Sequence, residues 1–341
     1  MADVRQKGNE RGADDGTAAQ KPENVIPVFF AIDDHFAPYL DCALRSMQEN
    51  ASREFTYEIY VMYDDLSEER QNMIASGHRD SFTIHFIPMQ DKFDASPYFS
   101  QNKLRCDYFT MTIFFRLFIA EMFEEYDKGI YIDSDIVVPG DISEMYRTDL
   151  KGNIIGACVD HSIETIPELR RYIEDAIGVP VSEYVNSGVL LMDLKQMREK
   201  DFLGHFLYLM DKYHFDNIAP DQDYINAMAN GRILYLGEEW DAMPPEGGGS
   251  RPVLEDPKLI HYNLFQKPWC YDDIPYEEYF WRYAKESPFY QEILDFKANY
   301  SEEQKESDRS CLETLVQRGG ELGDGDVTFR KMLEKGEKIR I

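Results

Sequence analysis

Three short apolar runs, VIPVFFAI (25–32), YEIYVMY (57–63) and FTIHFI (82–87), constrain this chain more than any other feature. Runs of this kind are the signature of strands buried on both faces. Between the first two, Tyr39, Leu40, Ala43, Leu44 and Met47 recur on one helical stripe. After the second, Ser67-Glu68-Glu69 opens another helix, with Ser67 as its cap. Strands alternating with helices at this spacing predict βαβ units and an α/β fold with a mostly parallel sheet.

The alternation continues downstream. Residues 108–124 (YFTMTIFFRLFIAEMFE) predict a buried helix interrupted by Arg116. GIYID (129–133), NIIGACVD (153–160), VNSGVLLMDL (185–194), RILYL (232–236) and LIHY (259–262) predict further strands. DQDYINAMA (221–229) opens a helix, 242–258 is a loop rich in Pro and Gly, and 276–298 is helical and aromatic. Residues 1–24 are small, polar and charged, with nothing to bury, and predict a disordered tail. One folded domain is expected over 25–299, followed by a charged, partly helical tail over 300–341.

The formal charge is −28, of which 1–24 carries −1 and 300–341 carries −2, leaving −25 for the stretch between. So acidic a body repels a phosphate backbone, which excludes nucleic acid as a partner. A single nucleotide would bind only with a cation between protein and phosphate. The five cysteines are odd in number and lack CxxC spacing, as reduced thiols do in the cytoplasm. No apolar run approaches the ~18 residues of a membrane span, and the N-terminus lacks the apolar core of a signal peptide. The last twelve residues, RKMLEKGEKIRI, are basic, and Phe329, Met332 and Leu333 have helical spacing. A cytoplasmic protein is therefore expected, with at most weak, salt-sensitive contact at the inner membrane face.

In open parallel sheets ligands bind at the carboxyl ends of strands. Two predicted strands end there in paired acids. Asp33-Asp34 is either a turn and helix cap or a ligand contact. Asp133-Ser134-Asp135 places two carboxylates one residue apart between apolar residues. Burying two like charges is costly, and a divalent cation removes that cost; the alternative is a solvated turn. His261 ends a strand in LIHYNLFQKPW, and Lys267 follows in a turn marked by Pro268. A metal-ligating His beside a cation would suit a diphosphate, although a His next to aromatic residues is also a common core side chain.

Taken together and in order, AIDDHFAPYLDCALRSM, FFRLFIAEMF with KGIYIDSDIVV, VNSGVLLMDL, PDQDYINA and HYNLFQKPW resemble glycosyltransferase family 8. These are retaining, metal-dependent enzymes that include bacterial lipopolysaccharide galactosyl- and glucosyltransferases and glycogenin. The resemblance runs from Val25 to about Pro288 and implies a GT-A fold, a nucleotide-binding, mixed but mostly parallel sheet flanked by helices. It implies that Asp133, Asp135 and His261 hold Mn²⁺ or Mg²⁺. It further implies that Asp33, Asp34 and His35 hold the uracil and ribose of a UDP-sugar, although many members have Asn in place of His35. Arg116 would reach the donor sugar and diphosphate, Lys267 the diphosphate, and Asn186 and Ser187 would cradle the sugar. Asp221 and Gln222 would line its reacting face. Each has a plainer reading: an ion pair for Arg116, a strand-entry turn for Asn186 and Ser187, a helix cap for Asp221. Leu264-Phe265 departs from related galactosyltransferases, which carry a small Gly-containing pair there.

The implied reaction moves a glucose or galactose from a UDP-hexose to a saccharide or glycolipid hydroxyl. Retention by double displacement needs a carboxylate on the far face of C1. The matching residue is Gln222, a poor nucleophile, which favours front-face attack. Two other readings stand beside this one: a nucleotide-sugar binding protein without turnover, and a sugar nucleotidyltransferase. The latter lacks the Gly-rich basic loop expected after the first strand.

Overall fold

The computed structural model of the protein describes residues 24–90, 111–244 and 252–341. The expected N-terminal tail up to residue 23, the start of the predicted helix 108–124 and the middle of the loop 242–258 lie outside the described residues.

The three opening strands form as their composition dictates: β1 (Val25–Ile32), β2 (Thr56–Tyr63) and β3 (Phe82–Pro88), all parallel. Between them run α1 (Ala37–Asn50) and α2 (Glu68–Ala75), the latter capped by Ser67, whose side chain accepts from the Arg70 amide. A 3₁₀ helix (Met111–Phe118) runs into α3 (Ile119–Met122), so the predicted helix is wound tighter than expected around Arg116. Then follow β4 (Gly129–Ile132), β5 (Ile136–Val137), α4 (Ile142–Arg147), β6 (Ile155–Val159) and α5 (Pro167–Tyr172). Next come β7 (Val185–Met192), α6 (Leu194–Glu199), α7 (Phe202–Tyr213), α8 (Pro220–Ala229), β8 (Ile233–Tyr235) and β9 (Ile260–His261). The stretch 276–298 divides into α9 (Glu277–Ala284) and α10 (Tyr290–Asn299) around Pro288, which has no N–H to continue a helix. The chain closes with α11 (Glu302–Leu322) and α12 (Phe329–Glu334).

Seven strands make one mixed sheet in the order β3-β2-β1-β4-β7-β6-β8, and β5 and β9 make a separate antiparallel ribbon. Only β7 runs against its neighbours β4 and β6. That single reversal matters for position. It brings the start of β7 to the same sheet edge as the carboxyl ends of β1, β4 and β6.

The strands alternate between two cores, as a period of two requires. Ile26, Val28, Phe30 and Ile32 of β1 face one side with Leu40, Leu44, Phe280 and Ile293. Phe29 faces the other with Phe115, Phe206, Ile225 and Leu315. Helices therefore cover both faces. Residues 300–341, expected as a charged tail, contribute Leu315, Phe329, Met332 and Ile339 to the second core. Phe329 stacks on Phe215 at 3.9 Å and meets Tyr224 edge-on at 4.9 Å. The apolar stripe that the sequence offers to lipid thus turns Phe329 and Met332 inward. Among the described residues no helix is long and apolar enough to cross a membrane.

Candidate active site

The shared sheet edge gathers acids. β4 leads into Asp133, whose amide donates to the Gly188 carbonyl of β7 at 2.7 Å. Asp135 lies two residues on, at the start of the β5–β9 ribbon. Ile136 pairs with His261 there, and the Tyr262 amide donates to the Asp135 carbonyl at 2.9 Å. Backbone pairing thus carries His261 to the two aspartates across a long stretch of sequence. One ligand atom from each of Asp133, Asp135 and His261 fits within a 4.8 Å group.

The histidine is fully buried and oriented. Its Nδ1 donates to Asp241 Oδ1 at 3.1 Å, which leaves Nε2 facing Asp135 Oδ1 at 3.3 Å and Asp133 Oδ2 at 3.9 Å. This carboxylate–histidine arrangement is how proteins fix the tautomer of a metal-binding imidazole. Burial opposes protonation of His261, but Asp135 and Asp241 outweigh it and push its pKa up to about 10. Burial also favours the neutral form of Asp135, yet Lys267 and His261 hold its carboxyl well below the usual range. Burial raises the pKa of Asp241, whose Oδ2 has no hydrogen-bond partner among the described residues.

Gly188 makes room for this cluster. A Cβ there would lie 2.4 Å from His261 Cε1 and 2.6 Å from Asp133 Oδ2. The residues fit a hard divalent cation: two carboxylates and an imidazole converge in a pocket that a methyl group would fill. The charge balance among the described residues agrees: Asp133 and Asp221 pair with Arg116 and Asp135 with Lys267, while Asp160 and Asp241 are bonded to Gln222 and His261.

Arg116 is the hub. The residue is 4% exposed, and its guanidinium stacks over Tyr131 at 4.4 Å. It donates to Asp133 Oδ1 at 2.9 Å and to the Ser187 carbonyl at 2.5 Å, and it pairs with Asp221 Oδ2 at 3.2 Å. Although burial opposes it, Asp133 keeps this group charged far beyond neutral pH. An Arg in so apolar a segment needs anionic partners, and it has two. Tyr131 adds a hydroxyl that donates to the same Asp133 oxygen at 2.6 Å.

A second layer joins β6, β7 and α8. Gln222 Nε2 donates to Asp160 Oδ2 at 2.9 Å, and its Oε1 accepts from the Ser187 amide at 3.0 Å. Asn186 donates to Asp160 at 3.2 Å and accepts from the Gly188 amide at 2.7 Å. Asp221 accepts from Ser187 Oγ at 2.9 Å. It does not cap α8; Ala219 holds the cap position, and Asp223 accepts from its amide at 3.0 Å. Lys267 bonds Asp135 Oδ2 at 2.5 Å and the Tyr262 carbonyl at 2.7 Å.

The other three expected residues are placed at the end of β1, beside β4, but outside this hydrogen-bonded cluster. Asp33 caps the turn that follows β1, accepting from the amides of His35 and Phe36. Its carboxyl is raised by burial. Asp34 accepts from the Ser67 amide at 3.1 Å and pairs with Arg70 at 2.9 Å, which ties β1 to α2. His35 is exposed beyond it. Sequence reasoning missed Asp160, Asp241, Tyr131 and Gly188. Only the glycine of the VNSGV block had a local signal.

Comparison with known proteins agrees with this geometry. A Haemophilus influenzae protein is 23% identical over 225 residues, which cover 65% of this chain and 64% of that one. The Escherichia coli K12 lipopolysaccharide 1,2-glucosyltransferase is 24% identical over 266 residues, 72% of each. The chain matches only 24% of the length of a Streptococcus gordonii relative. The solved galactosyltransferase LgtC, complexed with donor and acceptor sugar analogues, superposes with a TM-score of 0.60 at 22% identity. That match covers 83% of this chain and all of the other, and it shows a shared GT-A fold. The model of glycosyl transferase family 8 matches residues 27–273, spanning β1, Asp133-x-Asp135, the start of β7, α8 and the His261–Lys267 segment. By that match this chain, with its acidic sheet edge, belongs to glycosyltransferase family 8.

Proposed function

We propose that this protein transfers a glucose or galactose from a UDP-hexose to a hydroxyl of a saccharide or glycolipid, with retention at C1 and dependence on Mn²⁺ or Mg²⁺. One observation carries the proposal: Asp133, Asp135 and His261 converge within 4.8 Å at the strand ends where nucleotides bind in such sheets. These three residues would hold the cation. When bound, it would neutralise the diphosphate as that group leaves C1.

The protein's own groups divide the remaining work. Lys267, now neutralising Asp135, would turn its ammonium to the diphosphate and oppose the charge that grows on it. Arg116 fixes Asp133 and Asp221, so it positions the metal-binding and sugar-binding sides against each other. Asn186, Ser187 and Asp221 would hold the sugar, and Asp33, Asp34 and His35 the uridine. Gln222 would line the reacting face of that sugar; as a neutral amide with both ends already hydrogen-bonded it is a poor nucleophile, which favours front-face attack. The acceptor oxygen would approach the face from which the diphosphate departs, giving its proton to the leaving phosphate oxygen. We assign this chemistry to the domain over 25–299 together with the helices of 300–341 that pack on it, acting in the cytoplasm.

The test is release of UDP from UDP-glucose, UDP-galactose and their N-acetyl forms, with Mn²⁺ and with chelator. UDP release that needs Mn²⁺ supports the proposal. Formation of pyrophosphate from UTP and a hexose 1-phosphate, with no UDP released from the UDP-sugars, would identify a nucleotidyltransferase instead, and binding without release a non-catalytic protein.

A further inference from the structure

Beyond Gln222 the site continues into a narrow open cleft. Its polar lining includes Asp160, Ser162, Gln222 and Asn263, and its apolar wall includes Leu169, Leu264, Leu312 and Leu315.

Two of the contributions to that apolar wall are unusual. Leu264 has φ of +53°, in the left-handed region that penalises any residue with a β-carbon and that glycine adopts freely. The Asn263 side chain holds this turn by accepting from the Leu264 amide at 2.8 Å. A branched aliphatic side chain is thus kept over the cleft where the backbone favours glycine. Leu312 and Leu315 come from α11, outside the residues that match the family model.

The helix is also fastened across the cleft. Towards one end buried Asp308 accepts from the hydroxyls of Tyr271 at 2.6 Å and Tyr300 at 2.7 Å, which ties α11 to the loop that carries Lys267. Towards the other, Gly319 lies so close to α5 that a Cβ would meet Leu169 Cδ2 at 2.8 Å. The wall is therefore a fixed part of the site.

We propose that this cleft receives the acceptor, and that the acceptor carries an uncharged apolar aglycone beside the sugar that is glycosylated. This rests on the assignment of Gln222 to the donor's reacting face under Proposed function. The sugar hydroxyls meet Asp160 and Gln222, and an alkyl or aryl group lies against Leu264, Leu312 and Leu315. Sugar hydroxyls beyond the reach of Asp160, Ser162, Gln222 and Asn263 would lie unpaired against the leucines, a costly burial. The −25 charge of residues 25–299 disfavours an anionic aglycone.

The experiment titrates methyl and octyl β-glucosides and β-galactosides, below their micellar concentrations, into the full chain by calorimetry, with and without UDP and Mn²⁺. In at least one pair the octyl glycoside should bind about tenfold tighter or better, which burial of only two methylenes provides. Leu312→Ser, on a half-buried position, and Leu264→Gly, which relieves its backbone, should each bring that ratio towards one. UDP with Mn²⁺ is titrated alone first. If UDP does not bind, the donor assignment fails, whatever the glycosides do. If neither pair shows an octyl preference, or if the preference survives both substitutions, the apolar-aglycone proposal is overturned.

Discussion

Gly188→Ala adds one methyl group and tests the metal-site geometry directly. Gly188 lies within β7, and its φ is not left-handed, so alanine fits the backbone. The new Cβ would meet His261 Cε1 at 2.4 Å, Asp133 Oδ2 at 2.6 Å and Asn186 Oδ1 at 3.0 Å. Ordinary contact for a Cβ begins at 3.4 Å, so His261 and Asp133 must retreat by nearly 1 Å. Metal ligands tolerate only about 0.2 Å, and a displacement of about 1 Å costs reacting groups roughly 100-fold. Overpacking costs the fold only about 1–3 kcal/mol, partly offset by about 0.4–1 kcal/mol from a stiffer unfolded chain. The expected result is a folded protein, a few degrees less stable, whose Mn²⁺ affinity falls at least about tenfold and whose donor kcat/KM falls roughly 100-fold. Calorimetric Mn²⁺ titration, UDP release and thermal melting measure the three quantities. Mn²⁺ affinity and turnover both within about threefold of the unmodified protein would refute the site, since the clash would then touch no working group.

Asp133→Asn or Asp135→Asn should abolish Mn²⁺-dependent UDP release while far-UV dichroism stays unchanged, because one carboxylate and an imidazole hold a hard cation weakly; near-normal turnover in either would contradict this. Lys267→Ala should lower kcat and raise the donor KM together, since the ammonium faces charge that grows in the transition state; steady-state kinetics showing KM alone moving would limit it to ground-state binding. Phe329→Ala should cost about 3–5 kcal/mol in urea unfolding, as for other buried aromatic truncations, and a loss under about 1 kcal/mol would mean the segment is not core. His205 donates from Nε2 to the Ile339 carbonyl at 2.8 Å, and burial holds its pKa below the ordinary value near 6.5. The unfolded chain then takes up this proton first, so the contribution is complete above pH ~6.5 and shrinks as pH falls below it. Melting curves from pH 7.5 to 5.5 should therefore be flatter in His205→Gln, and identical slopes would remove His205 from the account.

What the sequence determined by itself is whatever short-range pattern specifies. Apolar runs of strand length, helical stripes and the Ser67 cap are local, and β1 to β3, α1 and α2 formed where those patterns put them. The Asp133-x-Asp135 pair stood out for the same reason, but its pattern alone was shared with a solvated turn, and only the fold brought His261 to it. The helices over 167–172, 194–199 and 202–213 were not anticipated, and 276–298 broke at Pro288 into two. The site as a site belongs to the tertiary structure. A single Asp such as Asp241 or Asp160 carries no local signature, and its importance comes from burial against His261 or Gln222. Those residues arrive from distant sequence because β7 runs antiparallel and β5 pairs with β9. Arg116 shows the same division: the sequence required some anionic partner for a buried guanidinium, and only the folded sheet edge decided that it would be Asp133 and Asp221. The C-terminal residues mark the limit most clearly, because a basic amphipathic segment has the same pattern whether its apolar face meets lipid or protein. Phe215 and Tyr224, packed around Phe329, decided for protein.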